Sequence, residues 1–224
     1  FHHGRVKDQV HVPDWTTTER VQYTIRLFRI LAALLPEGSD ANGQKMEGGV
    51  STSPLSYKLW YQKDEQKKEA VYERATFHIL QVVEQLVRTL KATGCSMHLD
   101  IEPEPDGLIE NSEELIAWYN HYLLPLGVPV LQEKFRLSEE EAVAAIRDHV
   151  QVCYDVCHFA LVYEAPHRVL ERLQHYGLKI GKLQISAALK ADLPTDMAAR
   201  KEVVDAFRKF NEPVYLHQVI ARRK

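Results

Sequence analysis

Apolar residues recur at two spacings along the chain, a helical spacing in long stretches and an alternating spacing in short runs between them. In the first long stretch Val21, Ile25, Phe28, Ala32 and Leu35 fall on one side of a helix. The helical spacing predicts helices over about 21–35, 67–91, 112–122, 138–150, 166–176 and 196–210. The short runs predict strands over 50–52, 96–102, 152–155, 179–185 and 214–220.

Strands and helices alternate along the chain without a long all-β stretch, which is typical of parallel βα units. No glycine-rich loop follows a predicted strand, so a nucleotide-binding Rossmann sheet is the weaker option. We expect an α/β fold of the parallel (β/α) TIM-barrel type. Only about five strands can be counted, whereas a closed barrel of this type has about eight. The barrel is therefore expected to be incomplete, with exposed strand edges and apolar helix faces.

Length and composition indicate one domain over residues 1–224. The chain has 224 residues, 45% of them hydrophobic, and neither a repeat nor a linker divides it. The formal net charge is -3 and the one basic run is Arg222-Arg223-Lys224, so we expect no nucleic-acid partner. The chain has no apolar window of about 18 residues, so we expect no membrane insertion. Three cysteines without a CxxC pair suit a reducing compartment, so we expect a cytoplasmic protein.

The predicted strand that begins near Met97 carries polar residues in phase. His98, Asp100, Glu102 and Glu104 share one face, and the alternating apolar residues share the other. Carboxylates on a buried strand are costly unless they are paired, hydrogen-bonded or metal-bound. These stand at the carboxyl end of the strand, where barrel enzymes carry their sites. The alternative is an edge strand with one solvated face.

Two further strand ends carry candidate site residues. Asp155 ends one strand and His158 follows in the next turn, a donor pair that suits Zn²⁺, Mn²⁺ or Fe²⁺. The alternative makes Asp155 a helix cap and His158 a core residue. Lys182, Gln184 and Ser186 share a face of the next strand. Gln184 could supply an oxygen ligand, hold a substrate hydroxyl or be a hydrogen-bonded core amide.

Other polar residues are candidates with less support. Ser51 stands at another strand end and is expected to line the same barrel mouth. His2, beside His3, could belong to the site or to a loop. Cys153 and Cys157 flank the strand end, and we interpret them as small buried hydrophobic residues rather than as a thiolate site.

Taken together, three strand-end motifs are more specific than any one of them. Ile-Glu-Pro-Glu-Pro, Asp-Val-Cys-His and Leu-Gln-Ile-Ser-Ala-Ala-Leu, in this order, resemble the xylose isomerase-like barrels, which include sugar epimerases and the endonuclease IV type. The chain most resembles the EboE metabolite-traffic family. Segments 1–7, 12–15, 51–56, 100–105, 153–160, 184–189 and 215–219 carry that resemblance.

The resemblance implies a site that binds a small metabolite and a divalent ion. It assigns Glu102, Asp155 and His158 as ligands of Mn²⁺, Zn²⁺ or Mg²⁺, and Gln184 is a candidate for a fourth ligand. In an isomerase site Glu102 and Glu104 are the candidate catalytic residues, because a carboxylate such as Glu104 could move the proton at the substrate carbon. Related isomerases usually have histidine where Gln184 stands. The chain also lacks the segments expected before its first strand and after its last one, so we expect it to be the middle of a longer protein.

Three functions stay open at this point. The first is an isomerase or epimerase that depends on a divalent metal, with substrate contacts from His2, Ser51, Lys182 and Ser186. The second is a carrier that binds a metabolite, such as a secondary-metabolite precursor, without catalysis. The third is a metal-dependent phosphodiesterase of the endonuclease IV type, which the slightly acidic balance of the chain disfavours.

Overall fold

A computed structural model of the protein describes residues 9–36, 46–211 and 219–222. These residues form four strands and eight α-helices. The strands are β1 (Gly48–Thr52), β2 (Met97–Ile101), β3 (Val150–Asp155) and β4 (Ile180–Gln184). The helices are α1 (Thr18–Leu34), α2 (Glu65–Thr93), α3 (Ser112–Trp118), α4 (Leu124–Phe135), α5 (Glu139–His149), α6 (Val156–Leu161), α7 (Pro166–His175) and α8 (Met197–Arg208). A π-helical turn, Tyr119–Leu123, joins α3 to α4.

The four strands form one parallel sheet in the order β1-β2-β3-β4. Val50 pairs with Leu99, Leu99 pairs with Val150, and Tyr154 pairs with Leu183. Helices occupy each connection between successive strands, which confirms the prediction of an α/β fold built from parallel βα units. The predicted strand over 214–220 lies almost wholly outside the described residues.

The sheet is strongly curled. Lys182 Nζ on β4 donates a hydrogen bond to Ser51 Oγ on β1 over 2.9 Å, although two strands separate β1 from β4. Neighbouring strands in a flat sheet lie about 4.8 Å apart, so the two outer strands would be about 14 Å apart. Two side chains can meet over this span only because the sheet bends toward them. It therefore forms a curled half-barrel, as an incomplete parallel barrel would.

The convex face of the sheet carries the hydrophobic core. Met97, Leu99 and Ile101 on β2 are fully buried in a cluster that includes the inner face of α2. That helix begins at the side-chain cap of Asp64 and ends at Gly94, whose φ of 71° suits glycine. Burying this face orders the sheet, and it leaves the alternate residues of each strand on the concave side.

Strand β2 lies between β1 and β3, so the alternative interpretation of it as an edge strand with a solvated face is wrong. Its polar residues point to the concave side of the sheet, as the alternation predicted. Among the described residues β4 has a neighbouring strand on one side only, and Leu183 on it and Ile185 just after it are 56% and 82% exposed. In the described part of the chain, no helix is both long and apolar enough to cross a bilayer.

Candidate functional site

The carboxyl ends of β2, β3 and β4 meet at one group of polar side chains. Glu102 follows β2 directly, Asp155 ends β3 and Gln184 ends β4. Gln184 Nε2 donates to Glu102 Oε1 over 2.8 Å and to Asp155 Oδ2 over 3.1 Å. The structure therefore brings together three of the four predicted ligand residues, and an amide N–H₂ lies between the two carboxylates.

Asp155 has two structural tasks at once. Its Oδ1 accepts hydrogen bonds from the Cys157 backbone N–H, over 2.9 Å, and from the Ser186 hydroxyl, so it caps α6. Burial opposes its ionisation, but the hydrogen bonds from Ser186 and Cys157 outweigh burial and lower the pKa of the Asp155 carboxyl. The cap interpretation is thus confirmed. It does not remove Asp155 from the site, because Oδ2 faces Gln184.

His158 joins the same group from the first turns of α6. Its Nδ1 lies 3.6 Å from Glu102 Oε1 and 3.1 Å from the backbone oxygen of Pro103. A carbonyl oxygen only accepts, so Nδ1 bonds it as an N–H donor, and in the neutral ring Nε2 then carries the lone pair. Histidines that bind metal ions commonly fix their tautomer by such a contact with a backbone carbonyl.

The donor atoms of this group suit a divalent cation. The ligand atoms of Asp155, Cys157 and His158 lie within 4.8 Å of one another, and Glu102 is in contact with His158. Carboxylate oxygen and imidazole nitrogen are ligands for Zn²⁺ and Mn²⁺. Cys157 is only partly buried, so its interpretation as a small buried residue is wrong, and burial raises the pKa of its thiol. Gln184 directs its amide nitrogen at the carboxylates, so its predicted role as an oxygen ligand stays a prediction.

Glu104 lies beside this group and is poised to exchange a proton. Burial raises the pKa of Glu104 to about 7, and the negative charges of Glu102 and Asp155 add to the effect. Its Oε1 is 3.8 Å from Nδ1 of His11, a buried ring that packs on Tyr57. A carboxyl group that titrates near neutrality is suited to general acid–base work.

His11 was not among the residues predicted from the sequence. It lies in a single 3₁₀ turn, Gln9–His11, ahead of the first helix. The fully buried Trp15 holds this segment against β1 by donating its indole N–H to Thr52 Oγ1 over 3.0 Å. Nothing periodic marks such a segment, so its place beside the strand ends could not be predicted from spacing.

Deeper on the concave face, His98 and Asp100 form a buried pair. His98 Nδ1 lies 2.7 Å from Asp100 Oδ1. A Cβ atom added at Gly49 on β1 or Gly181 on β4 would overlap these two side chains, so glycine at both positions makes room for the pair. Burial raises the pKa of Asp100, against the opposing effects of His98 and then Lys182.

The predicted substrate contacts divide into two places. Ser51 and Lys182 bond each other on the concave face, and Ser186 bonds Asp155 at the strand ends. His2 lies outside the described residues. Cys153 is fully buried with Sγ 3.6 Å from Glu102 Oε2, and burial with the Glu102 charge raises the pKa of its thiol to about 12. It is therefore a neutral thiol, as the interpretation as a small buried residue requires.

Fold and site together define a parallel α/β protein with an acidic, histidine-containing group at the carboxyl ends of its strands. Neither the protein-family models nor the curated proteins contain a match to the chain. The resemblance to the EboE family and to xylose isomerase-like barrels therefore stays a prediction.

Proposed function

We propose that the protein handles a small polar metabolite at the strand ends, with metal-dependent isomerase or epimerase chemistry. The observation that carries the proposal is the convergence of Glu102, Asp155, His158 and Gln184 from three adjacent strand ends. Barrel-type α/β proteins bind their substrates at this end of the sheet. The polar concave face below it favours a ligand rich in hydroxyl groups over an apolar one.

Glu102, Asp155 and His158 would hold the divalent ion. When bound there, such an ion polarises a substrate carbonyl and the hydroxyl next to it. The lowered pKa of Asp155 keeps this carboxylate ionised at neutral pH. Ser186, which bonds Asp155, orients it.

Glu104 is the proposed base. With a pKa of about 7 it can take a proton from the carbon beside a carbonyl group and return it to a neighbouring carbon. The electron pair of the broken C–H bond moves toward the carbonyl, and it reforms a C–H bond when Glu104 gives the proton back. Return to the adjacent carbon, while the hydroxyl proton passes to the former carbonyl oxygen, gives an isomerase. Delivery of a proton by a second donor to the opposite face of the same carbon gives an epimerase.

Metal content tests this proposal. The full chain, incubated with Mn²⁺, Zn²⁺ or Mg²⁺ and desalted, is expected to keep about one ion, as a single site of this donor set would. Asp155→Asn preserves an acceptor for the cap of α6 but removes the charge, so it is expected to lose the ion. Asp148→Asn, which changes an exposed aspartate paired with Lys179, serves as the control. Stoichiometric metal in Asp155→Asn would refute the ligand assignment.

A carrier without catalysis is the second candidate, and Gln184 favours it. Its amide N–H₂ group donates to both Glu102 and Asp155, so it offsets part of the repulsion between these two carboxylates. A bound ion would otherwise relieve that repulsion. In such a carrier the same strand ends bind a metabolite by hydrogen bonds alone, in keeping with the metabolite-traffic resemblance.

A further inference from the structure

One positive charge lies on the concave face of the sheet. Of the described strand residues, Lys182 alone is lysine or arginine. It follows Gly181 on β4 and reaches across the curled sheet to Ser51 on β1. Its neighbours on this face are polar. They are His98, Asp100 and Cys153, which come from the strands between β1 and β4.

The ammonium group of Lys182 has capacity left for a ligand. In the described part of the chain no carboxylate oxygen lies within 4.0 Å of its Nζ, which is the limit for an ion pair. The side chain is also exposed. An ammonium group has three N–H donors, and Ser51 takes one. The nearby Asp100 is bonded to His98 instead. Lys182 is therefore held in place by a hydroxyl group and, among the described residues, forms no close ion pair, although its charge interacts with that of Asp100.

The strand ends have the opposite character. The carboxyl groups of Glu102 and Asp155 lie together there, with Glu104 beside them. Glu102 and Asp155 would already neutralise a divalent ion bound there, so this end does not favour the negative charge of a ligand. An anionic ligand would place its negative group away from these carboxylates. In that direction three hydrogen-bond donors are available, two N–H groups of the Lys182 ammonium and the hydroxyl of Ser51.

The spacing of the two places along the strand indicates the size of the ligand. Lys182 precedes Gln184 by two residues on the same face of β4, which is about 6.6 Å along a parallel strand. A chain of about five or six carbons, with bonds of about 1.5 Å, covers that distance. One ammonium and one hydroxyl match the single charge of a carboxylate better than the double charge of a phosphate ester.

We propose that Lys182 and Ser51 bind the carboxylate of a sugar acid with five or six carbons, whose carbonyl end lies at Glu102 and Glu104. This inference rests on the proposed function and names its substrate class. It assigns Lys182 to specificity, since the residue binds the end of the substrate that does not react.

Calorimetric titration of the full chain with D-glucuronate and with D-glucose, its neutral counterpart, tests the inference. Because a hydrogen bond to a charged group is involved, wild type is expected to bind glucuronate about tenfold more tightly than glucose. Lys182→Met is expected to lose about that tenfold preference and to leave glucose binding within about twofold, while Lys182→Arg keeps most of it. Ser51→Ala, a second variant, is expected to weaken glucuronate binding alone.

The outcomes separate this inference from the proposed function. Equal binding of both sugars, or a Lys182→Met variant that weakens both equally, would overturn the inference and leave the function standing. Failure of wild type to bind either sugar would overturn both. Glucose 6-phosphate that binds more tightly than glucuronate, and loses its advantage in Lys182→Met, would overturn the carboxylate assignment. Unfolding temperatures of the variants close to that of wild type confirm that they are folded.

Discussion

At the scale of the residue, Glu104 carries a cost that depends on pH. Its pKa rises from 4.5 to about 7 because it is buried beside Glu102 and Asp155. The folded chain therefore binds this proton more tightly than the unfolded chain does. The penalty is absent below about pH 4.5, grows as the pH rises, and is complete above about pH 7.

We therefore expect Glu104→Gln to stabilise the protein at pH 8 and to leave its stability unchanged at pH 4. The pKa values set an upper limit of about 3–4 kcal/mol for the gain. Urea unfolding across this pH range measures it, with Glu133→Gln on the exposed side of α4 as the control. A gain that is the same at both pH values would show that the pKa of Glu104 is not raised. Turnover, if the proposed base is correct, rises through pH 7 in wild type and is lost in the variant.

At the scale of the element, β1 and β4 depend on glycine where they pass the His98–Asp100 pair. A Cβ at Gly49 would overlap both side chains, and their hydrogen bond to each other limits how far either can move away. Gly49→Ala is expected to cost about 1–3 kcal/mol of unfolding free energy, the usual range for overpacking.

Gly127→Ala in α4 is the matched control for that substitution. Its Cβ would lie 2.7 Å from Leu80 Cδ2 and 2.8 Å from Ile146 Cδ1, the ends of flexible side chains. Alanine also favours a helix by about 1 kcal/mol over glycine, so the net effect is expected to be near zero. Equal destabilisation by the two alanines would contradict the assigned role of Gly49. Chemical denaturation of each variant measures both effects.

The sequence predicted most of these elements because each buries one regular face. The strands over 50–52, 96–102, 152–155 and 179–185 all appear, with ends shifted by a few residues. Helix α4 was missed because Pro125 and Pro129 interrupt its pattern. Pro125 lies in the first turn, where its missing N–H is tolerated, and the buried Gly127 and Leu131 hold the rest in place.

The end of the preceding helix, predicted at about Val150, is shifted by one residue, since Val150 caps α5 and begins β3. Val150 pairs with Leu99, and the ring of His149 contacts the backbone oxygen of Met97 over 2.7 Å. Contacts with β2 therefore override the helical spacing. Such contacts depend on the folded sheet and leave no local signal.

At the scale of the whole molecule, part of the candidate site could be predicted from the sequence and part of it could not. Glu102, Asp155 and Gln184 could be predicted because parallel strands end on one side of a sheet, whatever its curvature. The approach of His11 to Glu104 and the bond between Lys182 and Ser51 could not. The first requires an irregular segment to fold back onto the strand ends, and the second requires the sheet to curl.

The two candidate functions make opposite predictions for the whole molecule. An ion that binds only the folded chain stabilises it by about 2.7 kcal/mol at a free concentration 100 times its dissociation constant. For a chain of this length that is a rise of roughly 5–10 °C in unfolding temperature, and a chelator is expected to reverse it. Asp155→Asn is expected not to respond, because it lacks one charged ligand.

A carrier would behave differently, because the Gln184 amide already lies between Glu102 and Asp155. Neither added ion nor chelator would then shift its unfolding temperature, and a bound sugar acid would stabilise it equally with and without chelator. Thermal unfolding with ion, sugar acid and chelator in all combinations therefore separates the two functions. Stabilisation by sugar acid that requires the ion would exclude the carrier, because only a site completed by metal couples the two ligands.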